Sequence, residues 1–202
     1  MEFLEDLGTY NFLLKFMILG ISDTGKTFLT ERIKLFNNFS EYIKKVGAIK
    51  PTIGVDFKIL NINYKNQLFK IQFWDTSGSE RFKNTVAGFM IGSKAFLLCY
   101  DAFNRDSFNH IIKQYKELKN YYKKAIYVLV RNKYDKKIDE DNIHNDIVSD
   151  EEALEFAEEN NIIFSHISSV IKNETGIKRL FELILDKILS LENNIIKSEN
   201  NI

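Results

Sequence analysis

The sequence predicts an α/β fold: a six-stranded, mostly parallel sheet with one antiparallel edge strand and helices on both faces. Three observations carry that prediction. Short apolar runs alternate with amphipathic stretches along the chain, as strand–helix–strand units require. Two alternating runs, residues 55–64 and 67–75, are separated only by Lys65-Asn66, which makes one hairpin and hence one antiparallel strand. No repeat of about 20–50 residues and no Gly/Ser/Pro-rich linker divides the chain.

The elements follow in order. Phe12–Leu19 reads as a buried strand ending at Gly20, and residues 26–36 as a helix. The hairpin comes next. The runs AFLLCY (95–100), AIYVLV (125–130) and NIIFSHI (161–167) are short, continuous and β-branched or aromatic, the pattern of strands buried on both faces. Residues 107–122 and 149–159 between them read as helices, the second opened by a capping box of Ser149 and Glu152. Residues 176–191 carry apolar side chains at helical spacing and cover the core. The charged segment 136–146 is expected to bulge from the surface. The domain is expected to span 11–191, after an N-terminal extension (1–10) and before a polar, disordered tail (192–202).

Composition narrows the function. The 202 residues carry 28 Lys+Arg against 28 Asp+Glu, a formal net charge of zero, which argues against a nucleic-acid backbone as partner. With 45% hydrophobic residues the chain can bury a sizeable core. One cysteine excludes a disulfide framework and suits a reducing compartment. The acidic start MEFLEDLGTY disfavours a signal peptide, and no apolar run approaches the roughly 20 residues of a membrane span. A cytoplasmic protein is expected.

Three motifs carry chemistry. GISDTGKT (20–27) fits G-x-x-x-x-G-K-[ST], placed after a buried strand and at a helix start. Backbone N–H groups of such a loop form a concave anion site, Lys26 supplies a point charge to outer phosphates, and the Thr27 hydroxyl suits Mg²⁺. In WDTSGSERF (74–82), Asp75 falls at a strand end where a carboxylate can hold Mg²⁺ through water. Gly78 offers a backbone N–H to a terminal phosphate. In RNKYD (131–135), Asp135 can accept two hydrogen bonds from guanine, a donor pair adenine lacks. Asn132 can tie this segment to the phosphate loop, and the Lys133 stem can pack over the base.

Together these motifs make the chain similar to the Ras superfamily of small GTPases, P-loop NTPases with a G domain, and within it to the Rab family, over about residues 10–190. The Rab-like marks are IGVDF (53–57), IQFWDTSGSERF (71–82) and Tyr100-Asp101. The resemblance implies GTP and GDP as ligands with Mg²⁺. Asp23, Thr24, Gly25, Lys26, Thr27 and Phe28 would bind the nucleotide, and Thr27, Thr52 and Asp75 would hold the metal. Lys26, Thr52, Gly78 and Ser79 stand at the reacting phosphate. It implies effector proteins meeting Ile53, Gly54, Phe57, Trp74 and Phe89, together with an exchange factor and an activating protein, and a monomer.

The departures from the family pattern sharpen these expectations. Ser79 stands where the family has the glutamine that orients the attacking water, so slow hydrolysis is expected. Asp23 replaces a usual glycine and brings a carboxylate near the phosphates. The base-contacting loop reads Ser168-Ser169-Val170 without its lysine, and Arg131 replaces a small residue. Weaker nucleotide retention is expected. Between Lys26 and Thr52 the chain runs longer than the family norm, so switch I or the first helix is extended. Phe39 is the expected guanine-stacking ring, with Phe36 and Tyr42 as alternatives. The tail IIKSENNI has no cysteine and the start Met-Glu is no myristoylation signal, so no direct lipid anchor is expected, and membranes would be reached through partners. Two readings stay open: a slow GTP-dependent switch in vesicle traffic, or a pseudo-GTPase interaction module.

Overall fold

A computed structural model describes residues 1–5, 8–133, 147–167 and 174–199; for 174 and 194–199 it describes the backbone only. Its strands are β1 (Glu2–Leu4), β2 (Phe12–Leu19), β3 (Val55–Tyr64), β4 (Gln67–Thr76), β5 (Ala95–Asp101), β6 (Ile126–Asn132) and β7 (Ile163–Ile167). The helices are α1 (Lys26–Lys34), α2 (Phe39–Val46), α3 (Lys83–Gly88), α4 (Arg105–Tyr121), α5 (Asp150–Glu159) and α6 (Glu174–Glu199), with a 3₁₀ turn at Glu80–Phe82.

The sheet runs β1-β3-β4-β2-β5-β6-β7. Only β3 opposes the others, being antiparallel to both β4 and β1. The expected antiparallel strand is therefore present, but among the described residues seven strands form and β3 is not at the edge. The N-terminal residues cover it: Phe3 faces Ile62 across the ladder and stacks on Phe36 at 4.4 Å. An alternating E-F-L triplet is too short to be read as a strand by itself; the open edge of β3 supplies its partner.

Strand alternation builds two cores. Phe16, Ile18, Leu97 and Cys99 face the side covered by α1 and α6, while Met17, Leu19, Phe96, Leu98 and Tyr100 face α3, α4 and α5. Buried strands between two helical layers read as continuous apolar runs for this reason. Lys65 and Asn66 both take positive φ (51° and 59°), the primed turn that matches strand twist.

Three local outcomes differ from expectation. The extra length before Thr52 folds as a separate helix, α2, capped by Asn38, whose side chain accepts from the Glu41 N–H at 3.0 Å and donates to its carboxylate at 3.1 Å. Ser149 accepts from the Glu152 N–H as a cap should, but the Glu152 carboxylate turns to Arg105 instead of completing the box. Helix α6 runs on to Glu199, through residues expected to belong to the tail. No Gly or Pro stops it, and extending a formed helix costs little compared with starting one. The segment 136–146 lies outside the described residues. Among the described residues no helix is long and apolar enough to cross a membrane.

Candidate nucleotide and metal site

The motif residues gather at the C-terminal ends of the parallel strands, where β2 and β5 are neighbours and their connections leave to opposite faces. In open α/β sheets this divergence opens a ligand crevice. The loop after β2 is braced by its surroundings. Asn132 Nδ2 donates to the Thr24 carbonyl at 2.8 Å, and the Cys99 thiol points to the same oxygen at 3.6 Å. Gly25 takes φ 85°, and a Cβ there would overlap Asn132 Nδ2. Helix α1 begins at this loop with no side-chain cap and no acidic residue in its first turn, so its leading N–H groups are left to an anion.

Lys26 is buried, and its ammonium donates to the Ile21 carbonyl at 2.7 Å. Burial lowers its pKa below the ordinary lysine value, opposed by Cys99 and by the carboxylates of Asp75 and Asp23. Asp23 is exposed and takes φ 65°, a left-handed conformation that glycine adopts freely and aspartate tolerates. A glycine would take up this geometry without that cost.

The metal-ligand candidates converge. Thr27 Oγ1 and Thr52 Oγ1 donate to Asp75 Oδ2 at 2.7 and 2.6 Å, and the two hydroxyls are 2.7 Å apart. The other carboxylate oxygen, Asp75 Oδ1, is buried without a hydrogen-bond partner among the described residues. Burial pushes the Asp75 carboxyl above its usual range, against the two hydroxyl bonds and the Lys26 charge. Two hydroxyls and an under-satisfied carboxylate, all oxygen, fit a hard cation such as Mg²⁺.

The facing segments reach the same point. Ser77 N–H donates to the Gly54 carbonyl at 2.8 Å, which ties the two switch segments to each other. Gly78 presses against the loop so closely that a Cβ would overlap the backbone of Ile21 and Ser22. Ser79 follows, half-buried, its N–H donating to Ser77 Oγ at 3.3 Å, and opens the 3₁₀ turn.

Other expectations resolve differently. Arg131 points away from the crevice, because Asn132 next to it points in; its guanidinium pairs with Asp150 at 3.1 Å and reaches the Val148 carbonyl. It thus supplies no argument for loosened nucleotide binding. Phe39 lies over Arg32, 4.9 Å from the guanidinium carbon, and against Tyr42. Arg32 is about two turns beyond Lys26, so the ring is taken up at the far end of α1. Phe36 and Tyr42 are buried core residues. Phe28 is half-buried on the first turn of α1. Asp135, Ser168, Ser169 and Val170 lie outside the described residues.

Two contributors were not assigned roles from sequence. Asp101, at the end of β5, pairs with Lys133 Nζ at 2.9 Å and holds the residue that follows Asn132 at φ 62°. Ser77 links the switches. Asp101 acts through its side chain and Ser77 through its backbone N–H, and only strand order shows what each one faces.

A separate surface lies on the hairpin. Phe57 is directly opposite Trp74 across the ladder and stacks on it at 5.2 Å, and Phe89 packs on Trp74 at 5.3 Å. Phe57 is 50% exposed and Ile53 81% exposed, so the aromatic group is both a packed unit and an open apolar surface.

Crevice, phosphate loop and sheet order define a nucleotide-binding G domain of the small GTPase type. A Ras family model matches residues 15–190. Relatives include "Ras-related protein Rab-1" of Theileria parva, 31% identical over 92% of this chain and 80% of the relative. "GTP-binding protein ypt1" of Schizosaccharomyces pombe is 31% identical over 95% of this chain and 88% of its own length. "GTP-binding protein YPTM2" of Zea mays is 32% identical over 85% and 78%. The chain belongs to the Ras family, as a Rab-family small GTPase.

Proposed function

We propose that the chain is a Rab-type switch in membrane traffic that cycles between GTP and GDP with Mg²⁺ and hydrolyses GTP slowly. The observation that carries this is the Thr27–Thr52–Asp75 cluster, in which helix α1, switch I and β4 meet at one partly satisfied carboxylate. Mg²⁺ would supply charge neutralisation to the phosphates there, held by Thr27, Thr52 and Asp75. The loop N–H groups and Lys26 would bind the phosphate oxygens and take up charge as the terminal bond breaks. Gly78 would present its N–H to the terminal phosphate from the opposite wall, and loss of that phosphate would release Thr52 and Gly78 together. Asn132 and Lys133 would line the base side.

Ser79 accounts for the slow step. Its hydroxyl is too short to hold a water and a phosphate oxygen at once, and small errors in positioning cost large factors in rate. An activating protein would then supply the missing groups. Ile53, Phe57, Trp74 and Phe89 offer the surface for effectors, and the buried Trp74 indole N–H has no acceptor among the described residues.

Calorimetric titration with GTP, GDP and ATP, with and without Mg²⁺, tests the binding. Guanine-specific, Mg²⁺-dependent binding is expected; absent or base-indifferent binding favours the interaction-module reading. Single-turnover hydrolysis tests the rest: Ser79→Gln should speed hydrolysis on the order of 10- to 100-fold. No change on that substitution would sink the slow-switch reading.

A further inference from the structure

The opposite end of the sheet, where the parallel strands begin, holds a cavity of about 710 Å³. Its walls come from the residues before β5 and β6, the turn between α5 and β7, α4 on one face of the sheet and α6 on the other. Lys94, Lys119, Lys123, Lys124 and Lys187 line it, and among the described residues no Asp or Glu does. In a chain of zero net charge this is a strong local excess. Lys94 has a carboxylate partner, Glu192 at 3.2 Å. The other four have none among the described residues.

The floor has a different character. Tyr115, Tyr127, Ile162 and Leu191 give it an apolar base. The two tyrosine hydroxyls are already engaged with backbone carbonyls of Asn160 and Tyr122, at 3.4 and 3.1 Å. Lys119 Nζ stands 5.1 Å from the Tyr115 ring centroid, held at the wall by its face. Ammonium groups that line one space repel each other, and several anionic oxygens at once relieve that repulsion. Lysine serves phosphate as a point charge, and the volume falls in the range of small-molecule sites.

We propose that this cavity binds a compact polyphosphorylated ring, the head-group chemistry of phosphorylated inositol lipids, with the lysines on the phosphates and the apolar floor under the C–H face of the ring. The same chemistry occurs in soluble inositol polyphosphates. The site is independent of the nucleotide: β5 alone separates the two ends by roughly 20 Å at about 3.3 Å per residue. It goes beyond the GTP switch proposed above and stands or falls without it.

The test uses the full chain, soluble inositol hexakisphosphate in a calorimeter, and sedimentation with three vesicle types. These are phosphatidylcholine alone, phosphatidylcholine with phosphatidylserine, and phosphatidylcholine with phosphatidylinositol bisphosphate. Binding to the bisphosphate vesicles above the serine vesicles, reversed by inositol hexakisphosphate, is the expected result for a lipid head group. Binding of inositol hexakisphosphate without vesicle binding supports the same site with a soluble occupant. In either case the exposed double variant Lys123→Gln/Lys124→Gln should lose roughly tenfold or more in affinity. Lys113→Gln/Lys116→Gln, an equal charge change on α4 outside the cavity, should lose less than about twofold. Equal losses in the two variants, equal binding to serine vesicles, or no binding of any probe would overturn the proposal. Guanine-nucleotide titrations run alongside would show whether such a failure touches the switch reading.

Discussion

The phosphate loop and the two segments that face it are held by different means. The loop is fixed by its neighbours: Asn132 and Cys99 converge on the Thr24 carbonyl, and Gly25 admits Asn132 where any Cβ would collide. The facing segments depend on far less. Thr52 is held by Asp75 Oδ2 and by Thr27, and the segment after β4 by the Ser77–Gly54 bond and the close approach of Gly78. A brace made of backbone and buried amide contacts stays when ligands change. A carboxylate that also suits a cation is shared, so a cation in the crevice would compete for the bond that holds Thr52. The difference assigns rigidity to the loop and responsiveness to the segments opposite.

The sharpest way to break this contrast is Asp75→Asn. It should reduce Mg²⁺-dependent GTP affinity on the order of 100-fold, because the hydroxyls and the cation lose their shared charge. The same variant should melt higher than wild type in chelator, since a buried carboxylate with one unsatisfied oxygen becomes neutral. Thermal melts with Mg²⁺ and with chelator check both signs. Asn132→Ala attacks the other side: it leaves the Thr24 carbonyl without its amide donor and should cost about 2 kcal/mol, or roughly 4–8 °C in Tm, even without nucleotide. If Asn132→Ala matters only when nucleotide is bound, the loop is not pre-braced.

Asp23→Gly is a smaller effect. Relief of the left-handed backbone, partly offset by a floppier unfolded chain, should add about 0.5–1 kcal/mol. Removing the carboxylate should slow GDP release roughly three- to tenfold, read by fluorescent-nucleotide exchange. The smallest effect is in Cys99. Burial pushes its thiol from 9.0 up to about 12, so the folded chain keeps a proton that the unfolded chain gives up. Its contribution to stability is whole below pH 9.0 and declines as pH rises toward about 12. Denaturation midpoints across that window should fall less steeply in Cys99→Ala, and a thiol reagent near pH 8 should label only unfolded protein.

Much of the site was legible because phosphate and metal chemistry leave local marks. Gly20 to Thr27 must be contiguous, since one loop and one helix start make the anion cradle. Asp75 and Asn132 could be placed at strand ends by periodicity alone. Helix α2 was legible in principle, from Asn38 three residues before Glu41, but a short capped helix inside an insertion resembles an extended loop. The fate of Phe39 was not legible. Its ring packs on Arg32, and no spacing in the sequence announces which of three nearby aromatics finds that cation.

The sequence by itself determined the strand–helix alternation, the hairpin register and the identity of the polar groups that gather in the crevice. These follow from periods of two and 3.6 residues and from side-chain chemistry, both local properties. Tertiary structure alone decided what each strand end faces: Asp101 against Lys133, Arg131 turned to Asp150, the N-terminal strand over the edge of β3, and lysines from distant segments around one cavity. Those pairings depend on the order β1-β3-β4-β2-β5-β6-β7. That order sets distances between residues far apart in the chain, which no local pattern encodes.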